Sequence, residues 1–184
     1  TGPMAREVSD LALMMNALSG PDPRVPTSIE ERGVDFFRGL GDGVAGLRIG
    51  WAPDAGLGMP FEAESVAVAE RAVAALAEAG ALVETVSPNI AEADLVFTET
   101  RAFDYEMSLG ELVRANPGRV KPEVVENVAL GTRQTAAQLR ALALARTRLE
   151  GEVRRYFDDY DLWITPTAQA LPFDAALRYP TEVA

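Results

Sequence analysis

The residues that usually carry hydrolytic chemistry are scarce in this sequence. Its 184 residues include no cysteine and no histidine, which removes thiolate nucleophiles, imidazole bases and the common zinc ligands together. The one lysine, Lys121, precedes Pro122 in a polar connection beside Arg119, where a solvated amine is expected rather than a buried catalytic base. Any hydrolytic chemistry must therefore use carboxylates, this lysine or groups outside the chain.

Carboxylate pairs and glycine-rich stretches offer no stronger site. The pairs Glu30–Glu31 and Asp158–Asp159 could act as an acid and a base, but runs of charge are usually solvated faces, and we favour that interpretation. The glycines of "GDGVAG" precede a predicted strand instead of joining a strand to a helix, so phosphate binding is not expected. No metal site and no cofactor are predicted.

One loop has the side chains and the setting of a ligand contact. In "ITPTAQALPF", a predicted strand at 162–165 places Thr165 and Thr167 in a loop bounded by prolines, where open α/β sheets commonly bind ligands. The same residues could equally be a simple strand terminator. Together with Trp51, at the end of another predicted strand, the two threonines are the candidate substrate-binding residues.

Apolar periodicity predicts the elements that must position this loop. Alternation predicts three strands, and stripes at helical spacing predict five helices. The predicted strands are 47–51, 81–86 and 162–165, and the predicted helices are 7–19, Glu62 to Gly80, 90–115, 122–130 and a Thr135–Gln138 capping box continuing to about 158. Strand, helix and strand form a βαβ unit of a parallel or mixed sheet. No linker or repeat divides the chain, so one α/β region over 1–184 is predicted.

Charge and hydropathy exclude several kinds of partner. The net charge of −11 would repel a phosphate backbone or an anionic bilayer. No apolar run approaches the ~20 residues needed to cross a membrane, and no charged-then-apolar leader is visible. We expect no nucleic-acid partner, no membrane partner and a cytoplasmic location.

Four stretches resemble the amidase signature family of serine hydrolases. The opening "TGPMAREVSDLALMMNALSGPDP" resembles a highly specific motif that follows the catalytic region of those enzymes. "GLRIGW" resembles a family strand, "LAEAGALVETV" a helix end and strand, and "DLWITPTAQALPF" a strand and loop. The resemblance implies an α/β fold with a mixed β-sheet flanked by helices, present here as a partial domain.

The resemblance also implies a reaction. Family members hydrolyse carbon–nitrogen bonds in linear amides: a serine attacks the carbonyl, a second serine in a cis peptide bond relays the proton, and a lysine is the base. In the family these residues precede the "GPMAR" motif, with which this sequence opens, so the resemblance implies that none of the catalytic residues lies in this chain. The chain is therefore expected to be an internal or C-terminal portion of a longer amidase, inactive alone, whose full-length form acts on a small-molecule amide.

Two regions depart from the family pattern. Glu7 stands where many members carry Ser or Thr as the cap of the first helix, so a weaker cap is expected. Members that transamidate acidic aminoacyl-tRNA tend to carry arginine just before a stretch resembling Ala129–Thr132, whereas Glu126 and Asn127 occupy that neighbourhood here. A carboxylate-bearing substrate is therefore disfavoured.

A second hypothesis comes from a different class of protein. The chain could be a self-contained, non-catalytic binding or oligomerisation module derived from the amidase fold. Open sheet edges and a wide apolar face would then pair with another copy or aggregate. Its expected form is a homo-oligomer joined through exposed sheet edges.

Overall fold

The computed structural model describes residues 2–31 and 33–183, which fall into two compact units. The first unit is Thr1–Ala45 and the second is Gly46–Ala184. The single α/β region expected over the whole chain stays a prediction.

In its described residues the first unit has one α-helix, α1 (Val8–Leu18), which confirms the helix predicted at 7–19. Glu7 is the N-cap residue and makes no side-chain capping hydrogen bond, as its residue type predicts. Gly20 follows the helix with a φ of +135°, a backbone conformation that glycine adopts more easily than other residues. The described remainder of this unit consists of turns, bends and chain without regular secondary structure.

The second unit is built on a parallel sheet of three strands in the order β2-β1-β3. The strands are β1 (Arg48–Trp51), β2 (Leu82–Thr85) and β3 (Leu162–Ile164). Helix α2 (Ala63–Glu78) joins β1 to β2, and these two strands are parallel, so the predicted βαβ unit is confirmed. Strand β3 pairs with the other side of β1.

The described part of the second unit has three further α-helices, α3 (Ala93–Ala115), α4 (Pro122–Thr132) and α5 (Ala136–Asp159), and a short 3-10 helix, Pro117–Arg119, between α3 and α4. Helix α3 packs against both α4 and α5. The α3–α4 crossing is close, since a Cβ added at Gly131 would collide with the carbonyl oxygen of Ala102. Within the described residues no helix has the length and apolar character that crossing a bilayer requires.

Helix α5 begins at the capping box that the sequence predicts. The Thr135 hydroxyl accepts a hydrogen bond from the backbone N–H of Gln138 (3.3 Å), and the Gln138 side chain accepts one from the N–H of Thr135 (2.9 Å). These two bonds satisfy donors that a helix start otherwise leaves without partners. The position of the box therefore fixes the first residue of α5.

Side chains of the sheet alternate between two faces. Trp51 and Ile164 are paired in register and share one face, on which Trp51 is 6 % exposed. Gly50 and Trp163 are also paired and occupy the opposite face. Tyr156 of α5 packs on that opposite face, with its ring centroid 5.4 Å from that of Trp163.

Candidate functional site

The carboxyl ends of all three strands meet at one edge of the sheet, because the strands are parallel. Backbone pairing continues just past the strands: the N–H of Ala52 donates to the carbonyl of Ile164 (2.9 Å), and the N–H of Val86 donates to that of Trp51 (2.8 Å). From β1 the chain crosses to β2 on one side, while β3 lies on the other side. The crevice at the carboxyl ends of β1 and β3 is therefore a topological switch point, the place where open α/β sheets bind ligands.

The loop after β1 is held in place locally and by the loop after β2. Asp54 accepts a hydrogen bond from the N–H of Gly56 (2.9 Å), which closes a tight turn. Gly56 has a φ of +75°, and a Cβ at this position would lie 2.9 Å from the carbonyl oxygen of Pro88. Close approach of the two loops thus requires glycine at this position.

The loop after β3 is tied to the start of α2 by three hydrogen bonds. The N–H of Glu62 donates to the carbonyl of Gln169 (2.8 Å), and the Glu62 carboxylate accepts from the N–H of Leu171 (2.8 Å). The side-chain amide of Gln169 donates to the carbonyl of Pro60 (2.8 Å). The Glu62 carboxylate also lies beside the positive end of the α2 dipole. These bonds fix the distance between the β3 loop and α2.

A groove of about 460 Å³ lies between that loop and α2. One wall is formed by residues of α2 and the other by residues between Ile164 and Pro172. The α2 wall consists of Ser65, Val68, Ala69 and Ala72. None of the described residues that line the groove has a charged side chain. The groove therefore suits an uncharged and mainly apolar group.

Thr165 and Thr167 both line this groove, as ligand contacts must. The Oγ1 atom of Thr165 is buried and has no hydrogen-bond partner within the described part of the chain. A buried hydroxyl without a partner costs free energy, which a hydrogen bond to a ligand atom that reached it would recover. Thr167 is exposed, and Trp51 is buried and lies outside the lining. The binding roles of all three stay predictions.

The lysine and the carboxylate pairs considered for catalysis are exposed to solvent, as the sequence predicts. Lys121 is exposed at the N-cap position of α4, and the carboxylate pairs Glu30–Glu31 and Asp158–Asp159 are exposed. Among the residues that the structure describes, no group of three or more acidic side chains is arranged to hold a metal ion. The groove thus offers shape, apolar surface and hydroxyls, and its described lining includes neither a lysine nor a carboxylate.

Comparison with known proteins decides the family. A family model described as Amidase matches residues 1–183. The chain belongs to the amidase family. The resemblance to amidase signature enzymes that four sequence stretches indicate is thereby confirmed.

Curated relatives of this amidase-family chain are longer proteins. A glutamyl-tRNA(Gln) amidotransferase subunit of Halothermothrix orenii is 31 % identical over 198 residues, which cover 94 % of this chain and 41 % of that protein. An acylamidase of Rhodococcus erythropolis is 29 % identical over 177 residues, covering 94 % of this chain and 36 % of the relative. The chain spans about two fifths of the length of the curated relatives it matches.

Solved structures confirm the fold. A bacterial aryl acylamidase of the amidase signature family superposes with a TM-score of 0.81 at 27 % identity, covering 94 % of this chain and 37 % of that one. A 6-aminohexanoate cyclic dimer hydrolase superposes with a TM-score of 0.73 at 20 % identity, which speaks for the fold alone. The chain is therefore an α/β portion of the amidase fold.

Sequence reasoning missed the α2 side of the groove. It predicted only that a helix begins at Glu62, whereas the Glu62 carboxylate also accepts a hydrogen bond from the N–H of Leu171. Ser65 and Val68 form a wall of the groove, yet nothing in their spacing marks them as more than residues of an amphipathic helix. Since they lie about a hundred residues from Thr165 in the chain, only the three-dimensional structure brings them together.

Proposed function

We propose that the chain is the substrate-side portion of an amidohydrolase that hydrolyses carbon–nitrogen bonds in linear amides. The match of the amidase family model to residues 1–183 is the observation that carries this proposal. The nucleophilic serine, the second serine and the lysine of the family reaction are supplied by polypeptide outside this chain. The absence of histidine and cysteine is consistent with a hydroxyl nucleophile, and the chain alone is inactive.

The groove between α2 and the β3 loop holds part of the amide in this proposal. Its apolar walls take the uncharged side of a small-molecule substrate, and a change of the Thr165 rotamer turns its buried hydroxyl into the groove to make one hydrogen bond to that substrate. Thr167 at the exposed end and Trp51 at the end of β1 are the other proposed contacts. Holding the amide still relative to the nucleophile lowers the entropic part of the barrier without any bond-making by these residues.

The proposed setting of the reaction is the cytoplasm, with a small-molecule amide as the partner of the full-length enzyme. Nucleic acid and membranes are not partners in this proposal, because the net charge of −11 repels polyanions.

The alternative, a non-catalytic oligomerisation module, is favoured by one observation. Both outer strands carry exposed leucines, with Leu82 62 % and Leu162 43 % exposed. Measurements of self-association separate this alternative from the amidase proposal.

A segment exchange tests the amidase proposal. The matching segment of the Rhodococcus erythropolis acylamidase is replaced by residues 1–183, and hydrolysis of an acylamide that the parent acylamidase cleaves is measured for the chimera and for the chain alone. We expect the chimera to turn over and the chain alone to give no burst of product. A burst or a covalent acyl adduct on the isolated chain would place the nucleophile inside it. A folded chimera without activity would contradict the substrate-side assignment.

The same chimera tests Thr165. Valine keeps the shape of threonine but lacks the hydroxyl, so T165V should raise KM by about 3- to 10-fold, the value of one hydrogen bond, with a smaller change in kcat. T165S restores the hydroxyl and should recover most of the loss. A purely structural hydroxyl predicts unchanged KM, because removing a buried group without a partner does not weaken packing.

A further inference from the structure

A second groove, between α3 and α5, combines two arginines with an aromatic wall. Its volume is about 620 Å³, within the range of small-molecule sites. Helix α3 contributes Phe97, Arg101 and Tyr105, and α5 contributes Arg146 and Leu149. It shares no lining residue with the groove beside α2 in the described chain, so the proposed amide site does not account for it.

Arg101 is held in one orientation by its neighbours. Its Nε donates to the side-chain oxygen of Asn127 (3.1 Å), and Asn127 in turn donates to the carbonyl of Glu123 (2.7 Å). The guanidinium lies 4.8 Å from the ring centroid of Phe97. The two terminal nitrogens of Arg101 donate no hydrogen bond to the described residues. A planar guanidinium fixed through Nε and an aromatic ring presents its remaining N–H groups in the geometry that suits a carboxylate.

Arg146 adds a second cation to the same groove. It interrupts the apolar stripe of α5, where an aliphatic side chain would continue the packing surface. Among the described residues, Arg146 forms no ion pair. Asp104 also lines the groove, and it forms no ion pair with Arg101 or Arg146 in the described chain. Two cations and one anion leave the lining with one net positive charge in a protein of net charge −11.

We propose that this groove binds a small organic molecule that carries a single carboxylate on an aromatic or apolar body. The carboxylate pairs with Arg101 and Arg146, and the body packs against Phe97, Tyr105 and Leu149. One net positive charge matches a monoanion, and the surrounding negative charge disfavours polyanions such as nucleotides. Arg101 reaches this groove already oriented, so little side-chain entropy is lost on binding. The expected exclusion of carboxylates concerns the amide substrate and not this separate groove.

Titration with benzoate and with its uncharged analogue benzamide tests the proposal. Binding to the chain is followed by NMR through the arginine Nε–H signals and the backbone amides, at constant ionic strength. We expect benzoate to bind at least ~10-fold more tightly than benzamide, and R101Q and R146Q each to weaken benzoate binding by about 10-fold, as loss of a charge-assisted pair predicts. R140Q is the matched control, since Arg140 is exposed on α5 outside the lining and should leave binding unchanged.

A variant that is expected to bind benzoate more tightly controls for loss of binding through misfolding. D104N removes the opposing charge in the groove and should tighten benzoate binding by about 2-fold, which a folding defect does not mimic. Equal affinity for benzoate and benzamide would overturn the proposal. A loss in R140Q as large as that in R146Q would also overturn it, because the attraction would then be a general effect of charge. Neither result bears on amide hydrolysis, which the segment exchange tests separately.

Discussion

At the scale of single residues, Gly50 is where the sheet allows no side chain. A Cβ at this position would collide with the hydroxyl of Tyr156 and lie 2.8 Å from a methyl group of Val86. The Tyr156 hydroxyl donates to the carbonyl of Leu162 (3.1 Å) and so connects α5 to β3. Burial, followed by the neighbouring Tyr160, raises the pKa of Tyr156, which keeps this hydroxyl protonated as a donor. Glycine in β1 is therefore a packing requirement.

We predict that G50A lowers the free energy of unfolding by about 1–3 kcal/mol, since overpacking forces the Tyr156 ring away from the sheet. Denaturant unfolding followed by circular dichroism measures the change. In a Y156F background the cost should be smaller, because the colliding hydroxyl is gone. G118A is the control, as a Cβ there has no atom within 4 Å. Equal losses for G50A in the two backgrounds would show that the Tyr156 hydroxyl is not the cause.

The residues of the candidate site divide into those that sequence could predict and those it could not. Thr165 and Thr167 were predictable because a strand end followed by prolines is a local pattern, and both line the groove. The missing partner of the Thr165 hydroxyl was not predictable, since it depends on which side chains surround it. In the second groove, Arg146 is recognisable in the sequence only as an interruption of the apolar stripe of α5. Nothing in the sequence pattern indicates that Arg101 lines the same groove.

At the scale of elements, local patterns predicted the helices and strands well. Gly80 predicts the end of α2 and the Thr135–Gln138 box predicts the start of α5, each within two residues of the observed position. Such ends are predictable because caps and turns depend on only a few neighbouring residues. The strand order β2-β1-β3 was not predictable, because it rests on pairing between Ile49 and Leu162. Such long-range pairing follows from how helices cover the sheet and leaves no local pattern in the sequence.

The capping box of α5 gives the element-scale prediction. T135A removes the acceptor of the Gln138 N–H and should lower the free energy of unfolding by about 1 kcal/mol. T147A is the matched control: among the described residues the Thr147 hydroxyl bonds only to the carbonyl of Ala143 inside the same helix, so alanine should be neutral or slightly stabilising. Thermal unfolding of the two variants distinguishes them. Equal destabilisation would mean that the helix start does not depend on the box.

At the scale of the whole molecule, the chain exposes large apolar side chains that a protein surface usually covers. Leu82, Leu130 and Met107 are 62 %, 50 % and 70 % exposed, and the chain spans about two fifths of its relatives' length. Among the described strands, β2 and β3 each have a partner on one side only. Such edges and patches are buried either by further polypeptide of an amidase or by another copy of the chain.

Measuring self-association distinguishes burial by further amidase polypeptide from burial by another copy of the chain. We expect copies to associate through the β2 edge. L82K places a charge at a free strand edge and should reduce association of the chain, measured by light scattering across a concentration series. The new lysine makes the net charge less negative, so general repulsion falls and cannot explain the reduction. L130K is the control, because it removes a similarly exposed leucine from helix α4. Equal suppression by both variants would assign association to general hydrophobicity. A defined oligomer that only L82K dissociates would favour the non-catalytic module, whereas heterogeneous aggregates would favour the amidase portion.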